Sequence, residues 1–348
     1  MRRLRLTHFV LFALTIGWPQ LEARSNLANT IASKRPVFGG SCPACPWGAI
    51  GEIVRDAMKP DGWEVQVCYS CGGPARAVRL VADASDAPKP ERVTESTPPT
   101  PEGRLEFGAV GTEILQYAYL GRHDFAKDPG GPRKQLRLLA NIQSPTYYMV
   151  AVKAASDITD LRQIAERGLA VKLVARGGVN EAINTAVLDY YGLSEAKIKA
   201  LHGTAAGSYT RGSEADVIIG WAALINAPEY AAWYDAPQQQ DLRYLELPPD
   251  LRATLTKTFL LQEHAAPAAL LRGVTRPIPT VAREGTAIYA RADLPDDFAY
   301  AVAKAIDERQ GLLRWSHIPF SYNPSTVWTL GDVPLHPARR VTTRSAAI

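Results

Sequence analysis

Cysteine supplies the most legible chemistry in this 348-residue chain. Its four cysteines fall into two C-x-x-C pairs, Cys42/Cys45 and Cys68/Cys71. Each pair follows a short apolar run with strand character and precedes a stretch with helical spacing. Three chemistries suit such pairs: disulfide bonds, dithiol redox exchange and a four-thiolate metal site. Neither pair is followed by histidine, so c-type haem attachment is not indicated. Neither loop lies in a pattern resembling a whole thioredoxin fold. Pro43 and Pro46 stiffen the first loop, as a structural staple would. The even count, an export signal and the expected adjacency of the two strands favour two disulfides, with links between the loops preferred to links within them. The spacing itself leaves every connectivity open.

Other reactive residue types form no constellation. The six histidines, His8, His123, His202, His264, His317 and His336, are scattered, and none has a second ligand-type residue at a metal spacing. The chain has no G-x-S-x-G elbow, no P-loop, no H-E-x-x-H and no G-x-G-x-x-G after a strand. An enzyme is therefore not expected, and no cofactor is. What recurs is a glycine-bearing loop between strand and helix: Gly39-Gly40, Gly72-Gly73, Gly111-Thr112 and Gly177-Gly178. Glycine lets the backbone approach a ligand closely, and the helix that follows offers free N–H groups. Repetition in both halves of the chain favours a ligand held by loops from two lobes. The candidate ligand-binding residues are Gly40, Ser41, Trp47, Ser70, Gly72, Gly73, Thr112, Tyr147, Arg176, Gly178, Asn180 and Trp221. Arg176 is the candidate carboxylate clamp, because its rigid fork matches two oxygens. A solvated surface arginine is the competing reading. If the ligand is uncharged, Trp47, Tyr69, Tyr147 and Trp221 supply aromatic contact instead.

Alternating strands and helices must position these loops. Pro36–Gly40 reads as a strand, Trp47–Met58 as a helix, and Trp63–Tyr69 alternates with the strand period. Pro74 opens a helix where its missing N–H costs nothing. Residues 83–103, rich in Asp, Glu, Pro, Ser and Thr, read as a surface insertion. Strands follow at Leu105–Val110, Leu136–Ile142 and Tyr147–Val152. A second unit runs from Ser156 through strands Ala170–Ala175, Asp216–Trp221 and Leu242–Leu247. An extended piece at Thr286–Ala290 and an amphipathic helix at Pro295–Arg309 complete the pattern. Such alternation implies α/β architecture with mixed, mostly parallel sheets.

The N-terminus resembles an export signal. Arg2, Arg3 and Arg5 precede an apolar stretch from Leu6 to Trp18, and Leu21-Glu22-Ala23 offers a small-residue cleavage site. Residues 1–23 are thus expected to be a cleaved signal peptide, placing the mature chain in the periplasm; an uncleaved anchor is the alternative. No later stretch approaches 18 unbroken apolar residues. The formal charge of +4 falls closer to neutral on cleavage, and no basic run is interleaved with aromatics. Nucleic acid is therefore not an expected partner.

Several segments, in order, resemble the TAXI-type solute receptors of the tripartite ATP-independent periplasmic (TRAP) transporters. The strand entering Gly39-Gly40 is the first. Val65–Leu80, with Gly72-Gly73-Pro74-Ala75, is similar to the family's strand, glycine turn and helix. Leu105–Tyr119, Tyr148–Leu161, Leu173–Ala182 and Asp216–Trp221 continue the likeness. The most specific match is C-terminal: Pro277–Val281, Ala287–Ala290, Ala292-Asp293-Leu294-Pro295-Asp296-Asp297 and Pro334-Leu335-His336-Pro337-Ala338. The cysteine pairs and Arg176-Gly177-Gly178 depart from the family pattern. The resemblance implies a two-lobed periplasmic binding protein fold of type II. Its first lobe would comprise residues 34–146 and 271–338, its second residues 147–270. It further implies a monomer that captures a small molecule, such as a small organic anion, between lobes and delivers it to a TRAP-type membrane permease. The alternative is a periplasmic sensing or metal-handling protein of the same fold that uses the four cysteines.

Overall fold

The computed structural model describes residues 31, 33–42, 45–90, 97–142, 145–223, 230–315 and 322–338. The expected signal peptide, Pro43 and part of the 83–103 insertion lie outside them. The chain builds β1 (Val37–Gly39), α1 (Pro46–Met58), β2 (Gln66–Cys68), α2 (Pro74–Ala82), β3 (Leu105–Gly111), α3 (Thr112–Leu120) and β4 (Leu136–Ile142). It then crosses to β5 (Thr146–Lys153), α4 (Arg162–Glu166), β6 (Lys172–Ala175), α5 (Ala182–Tyr190), α6 (Glu195–Ala200), β7 (Thr204–Ala206) and β8 (Val217–Ala222). Next come α7 (Ala232–Gln239), β9 (Leu242–Leu245), α8 (Pro249–Phe259), β10 (Gln262–Ala266) and β11 (Ile278–Arg283). It returns with β12 (Thr286–Arg291), α9 (Asp296–Glu308) and α10 (Gly311–Trp315).

Two sheets result. One has the order β2-β1-β3-β12-β4, the other β10-β11-β5-β8-β6-β7 with β9 on β5. This is the two-lobed α/β fold expected above. Its second boundary differs: β11 pairs with β5 and β10 in the second sheet, so the chain rejoins the first sheet at Thr286 and not near residue 271. The sheets are also less parallel than strand–helix alternation suggested. β12 runs antiparallel to β3 and β4, and β5 runs antiparallel to β8, β9 and β11. The reason is topological. Strands that feed a helix end at the rim between lobes, whereas β5 and β12 start there, each having just crossed over.

Local sequence explains the helices that open at that rim. Pro46 occupies the first turn of α1, whose apolar face Trp47, Ile50, Val54 and Met58 is buried. Pro74 does the same for α2 after Gly73, whose φ of 100° suits glycine. The returning α9 closes the first lobe's core, with the Phe298 ring 5.3 Å from Phe107 and 4.8 Å from Trp63. A final strap pairs with β4: the Leu138 N–H donates to Pro334 O, and the His336 N–H donates to Leu138 O, both at 2.9 Å. Described residues of the 83–103 segment form no helix or strand beyond a bridge between Asp86 and Arg104.

Candidate functional site

Two crossovers, Ile142 to Thr146 and Arg283 to Thr286, join the lobes. Beside them lies a cavity of about 430 Å³ lined from both sides. The first lobe contributes Trp47 and Pro74 from the starts of α1 and α2, Glu113 and Tyr117 from α3, and His123. The second contributes Asn180 and Glu181 ahead of α5, Trp221 from β8, Phe259 from α8 and Arg283 from β11. An adjoining hollow of about 260 Å³ shares Trp47, Pro74, Glu181 and Trp221 and adds Cys45, Arg176 and Gly177. A larger groove of about 570 Å³ lies elsewhere, lined by the second lobe alone, from Thr159, Leu242–Glu246, Gly273, Thr275, Arg276 and Ile278. Its Arg243 is committed to the carbonyls of Ser156 and Ile158. The cavity between lobes is the better site, because ligands of open α/β sheets sit beyond the carboxyl ends of strands.

At its centre is a buried ion pair. Arg283 Nη1 donates to Glu113 Oε1 at 3.1 Å, with the side chains 6% and 8% exposed. Arg283 Nη2 also donates to the Tyr230 hydroxyl at 3.3 Å. The guanidinium lies 4.6 Å from the Trp221 ring and 6.0 Å from that of Trp47. One cation thus touches an acid and an indole from opposite lobes, an arrangement suited to guanidinium, which is weakly hydrated and stacks well. Two further bonds cross the gap. The Tyr117 hydroxyl donates to Phe259 O at 2.5 Å, and His123 Nε2 lies 2.8 Å from Thr258 O, which makes Nε2 the protonated nitrogen. Burial, then the charge of Glu113, pushes the Tyr117 phenol up, keeping it a neutral donor.

The Arg176 loop is held from beneath. Buried Asn184 accepts from the Tyr148 hydroxyl at 2.6 Å and donates to Arg176 O and Gly178 O, each at 2.8 Å. Gly177 and Gly178 take φ of 87° and 96°, where a side chain would strain the backbone.

Of the residues expected to bind ligand, Trp47, Arg176, Asn180 and Trp221 line these cavities. The others stand apart from the lining. Gly40 and Ser41 are buried in the turn after β1, and Gly72, Gly73 and Ser70 form the turn ahead of Pro74. Thr112 is buried at the second crossover, its N–H donating to Gly285 O at 3.1 Å. Gly178 shapes its loop. Tyr147 faces the opposite side of its sheet, against His264, because side chains alternate; Tyr148 is the one beside Trp221, at 5.4 Å.

Sequence reading missed Glu113, Tyr117, Glu181, Phe259 and Arg283. Glu113 had a signal, standing directly after the Gly111-Thr112 loop. Arg283 had one too, as a charge ending an apolar strand. The cysteines also need correction: the bond is Cys42–Cys45, within the first pair, while Cys68 and Cys71 are buried thiols. Among the described residues no group of three or more His, Cys, Asp and Glu could hold a metal, so the metal-handling reading is not favoured. No described helix is long and apolar enough to cross a membrane.

Two α/β sheets, joined by two crossovers around a cavity, define the chain as a two-lobed α/β protein. The protein belongs to the NMT1-like family, whose family profile matches residues 99–340. No curated protein matches it in sequence. Similar solved structures include a TctC solute binding protein from Polaromonas, 12% identical with a TM-score of 0.42, covering 90% of this chain and 95% of that one. Lactococcal OpuAC complexed with glycine betaine is 12% identical with a TM-score of 0.38, covering 81% and 98%. The L-cystine solute receptor of Neisseria gonorrhoeae is 11% identical with a TM-score of 0.36, covering 85% and 99%.

Proposed function

We propose that this protein is a periplasmic solute receptor of the TAXI type, which captures one small molecule between its lobes and presents it to a TRAP-type membrane permease. The observation that carries the reading is the cavity of about 430 Å³ built from both lobes around the Arg283–Glu113 pair. A receptor needs its contacts divided between two bodies, so that solute binding draws them together. Trp47 and Trp221 supply a flat apolar enclosure from opposite sides. Arg176 and Arg283 supply guanidinium groups for the carboxylate of a small organic acid. Glu181 and Asp124, which also lines the cavity, accept from its donors. No catalytic step is part of this role, and the mature chain works as a monomer.

The test is a screen of small organic acids by thermal shift, followed by small-angle scattering on each hit. A true solute should raise the melting temperature and shrink the radius of gyration. Tight binding with an unchanged radius would refute closure, and a binder that ignores Trp221→Ala would refute the site.

A further inference from the structure

The function proposed above leaves one reactive pair unused. Cys68 ends β2 and Cys71 lies in the turn that leads to α2; both are buried thiols. Their sulfurs are 3.2 Å apart, with the Cys71 thiol directed at Cys68 Sγ. A disulfide needs a separation of about 2.05 Å, so roughly 1 Å of travel would join them. The next two residues, Gly72 and Gly73, have φ of 73° and 100°, a backbone free of side-chain restraint where the turn would have to open. The neighbouring turn carries the Cys42–Cys45 disulfide, and the two turns are laced together. Gly40 N–H donates to Cys68 O at 2.9 Å, and Gly73 N–H donates to Ser41 O at 3.3 Å.

We propose that Cys68 and Cys71 form a reversible dithiol–disulfide site, oxidised by exchange with an incoming disulfide. Both sulfurs are buried, so the turn at Gly72-Gly73 must first open; Cys68, as thiolate, then attacks one sulfur of that disulfide and releases the other as a thiolate. Cys71 gives up its proton to solvent and attacks Cys68 Sγ in the mixed disulfide, expelling the second thiolate. Two electrons pass from the pair to the incoming disulfide, which leaves as two thiols. The hydrogen bond from Cys71 holds the Cys68 thiol below its ordinary range, against burial. The same bond, then burial, pushes the Cys71 thiol up. Attacking and resolving roles are thereby divided. Because that bond stabilises the reduced form, this disulfide should be the more easily reduced of the two.

The site reaches the cavity through the chain. Its turn ends at Pro74, which opens α2 and lines both hollows. Closing the pair would stiffen that wall, a consequence that rests on reading the cleft as the solute site. The chemical step does not rest on it.

The experiment equilibrates the full mature chain with oxidised and reduced glutathione. It then unfolds the protein, alkylates it, and maps the peptides by mass. We expect a Cys68–Cys71 bond under oxidising mixtures, two hydrogens removed, and its loss before Cys42–Cys45 as reduced glutathione rises. Cys68 and Cys71 both alkylated after full oxidation would overturn the site. So would a bond from either to Cys42 or Cys45, or loss of the first bridge ahead of the second. Hydrogen exchange on the same samples should slow several-fold over residues 70–78 on oxidation; unchanged exchange would overturn the coupling to Pro74. The wild-type measurements require no variant, and Cys71→Ser serves only to trap the mixed disulfide on Cys68.

Discussion

Replacing Glu113 by Gln keeps the shape of the side chain and removes the charge facing Arg283. Both partners are almost fully buried, so the guanidinium would be left in a poorly solvated place without its counter-ion. Breaking a buried pair in this way costs about 3–5 kcal/mol. Arg283 keeps the Tyr230 hydroxyl and the Trp221 face, and the new amide oxygen can still accept, which lowers the expected cost to about 2–4 kcal/mol. In a chain this size that corresponds to a fall in Tm of about 3–6 °C. Replacing both partners, Glu113→Leu with Arg283→Met, should recover most of the loss, because no charge remains to be solvated. The double variant should nevertheless fail to bind the solute, separating stability from recognition. Urea unfolding of the wild type, Glu113→Leu, Arg283→Met and the double variant completes the cycle. A Glu113→Gln protein as stable as the wild type would refute the argument, as would a double variant that loses the sum of the two singles.

Arg176→Ala should weaken binding of an acidic solute by roughly 2–5 kcal/mol if the fork clamps a desolvated carboxylate; calorimetry showing a loss below about 0.5 kcal/mol would return Arg176 to the surface. Asn184→Leu strands the carbonyls of Arg176 and Gly178 and the Tyr148 hydroxyl, and should cost about 2–4 kcal/mol. Hydrogen exchange over residues 176–180 should rise with it. Burial, opposed by the nearby charge of Asp296, holds the His336 imidazole below its ordinary range. The unfolded chain therefore takes up that proton at higher pH than the folded chain. Stability is full above the ordinary histidine range and falls as pH drops through it, by up to about 1.4 kcal/mol per pH unit. His336→Gln should flatten that part of the urea-midpoint profile; an unchanged slope would place the proton elsewhere.

Local sequence determined most of the elements and the places where they turn. Period-two runs such as Trp63–Tyr69, proline at the first turn of α1 and α2, and glycine pairs with positive φ are governed by nearest neighbours, so they can be read without tertiary information. For the same reason the strand-to-helix loop holding Arg176, Gly177 and Gly178 was legible as a glycine turn. Tyr147 was misplaced by a single step of the strand alternation, since two adjacent tyrosines give no local sign of which faces the cleft. The return of β11 to the second sheet depends on pairing with β5, more than a hundred residues away in the chain. Whether Cys42 bonds to Cys45 or across to the next turn depends on how the two turns meet, which composition does not encode. Glu113 and Arg283 are 170 residues apart, and each alone is an ordinary charge beside a strand. Only the meeting of two lobes removes water from both, and that desolvation is what sets the pair apart from an ordinary surface salt bridge.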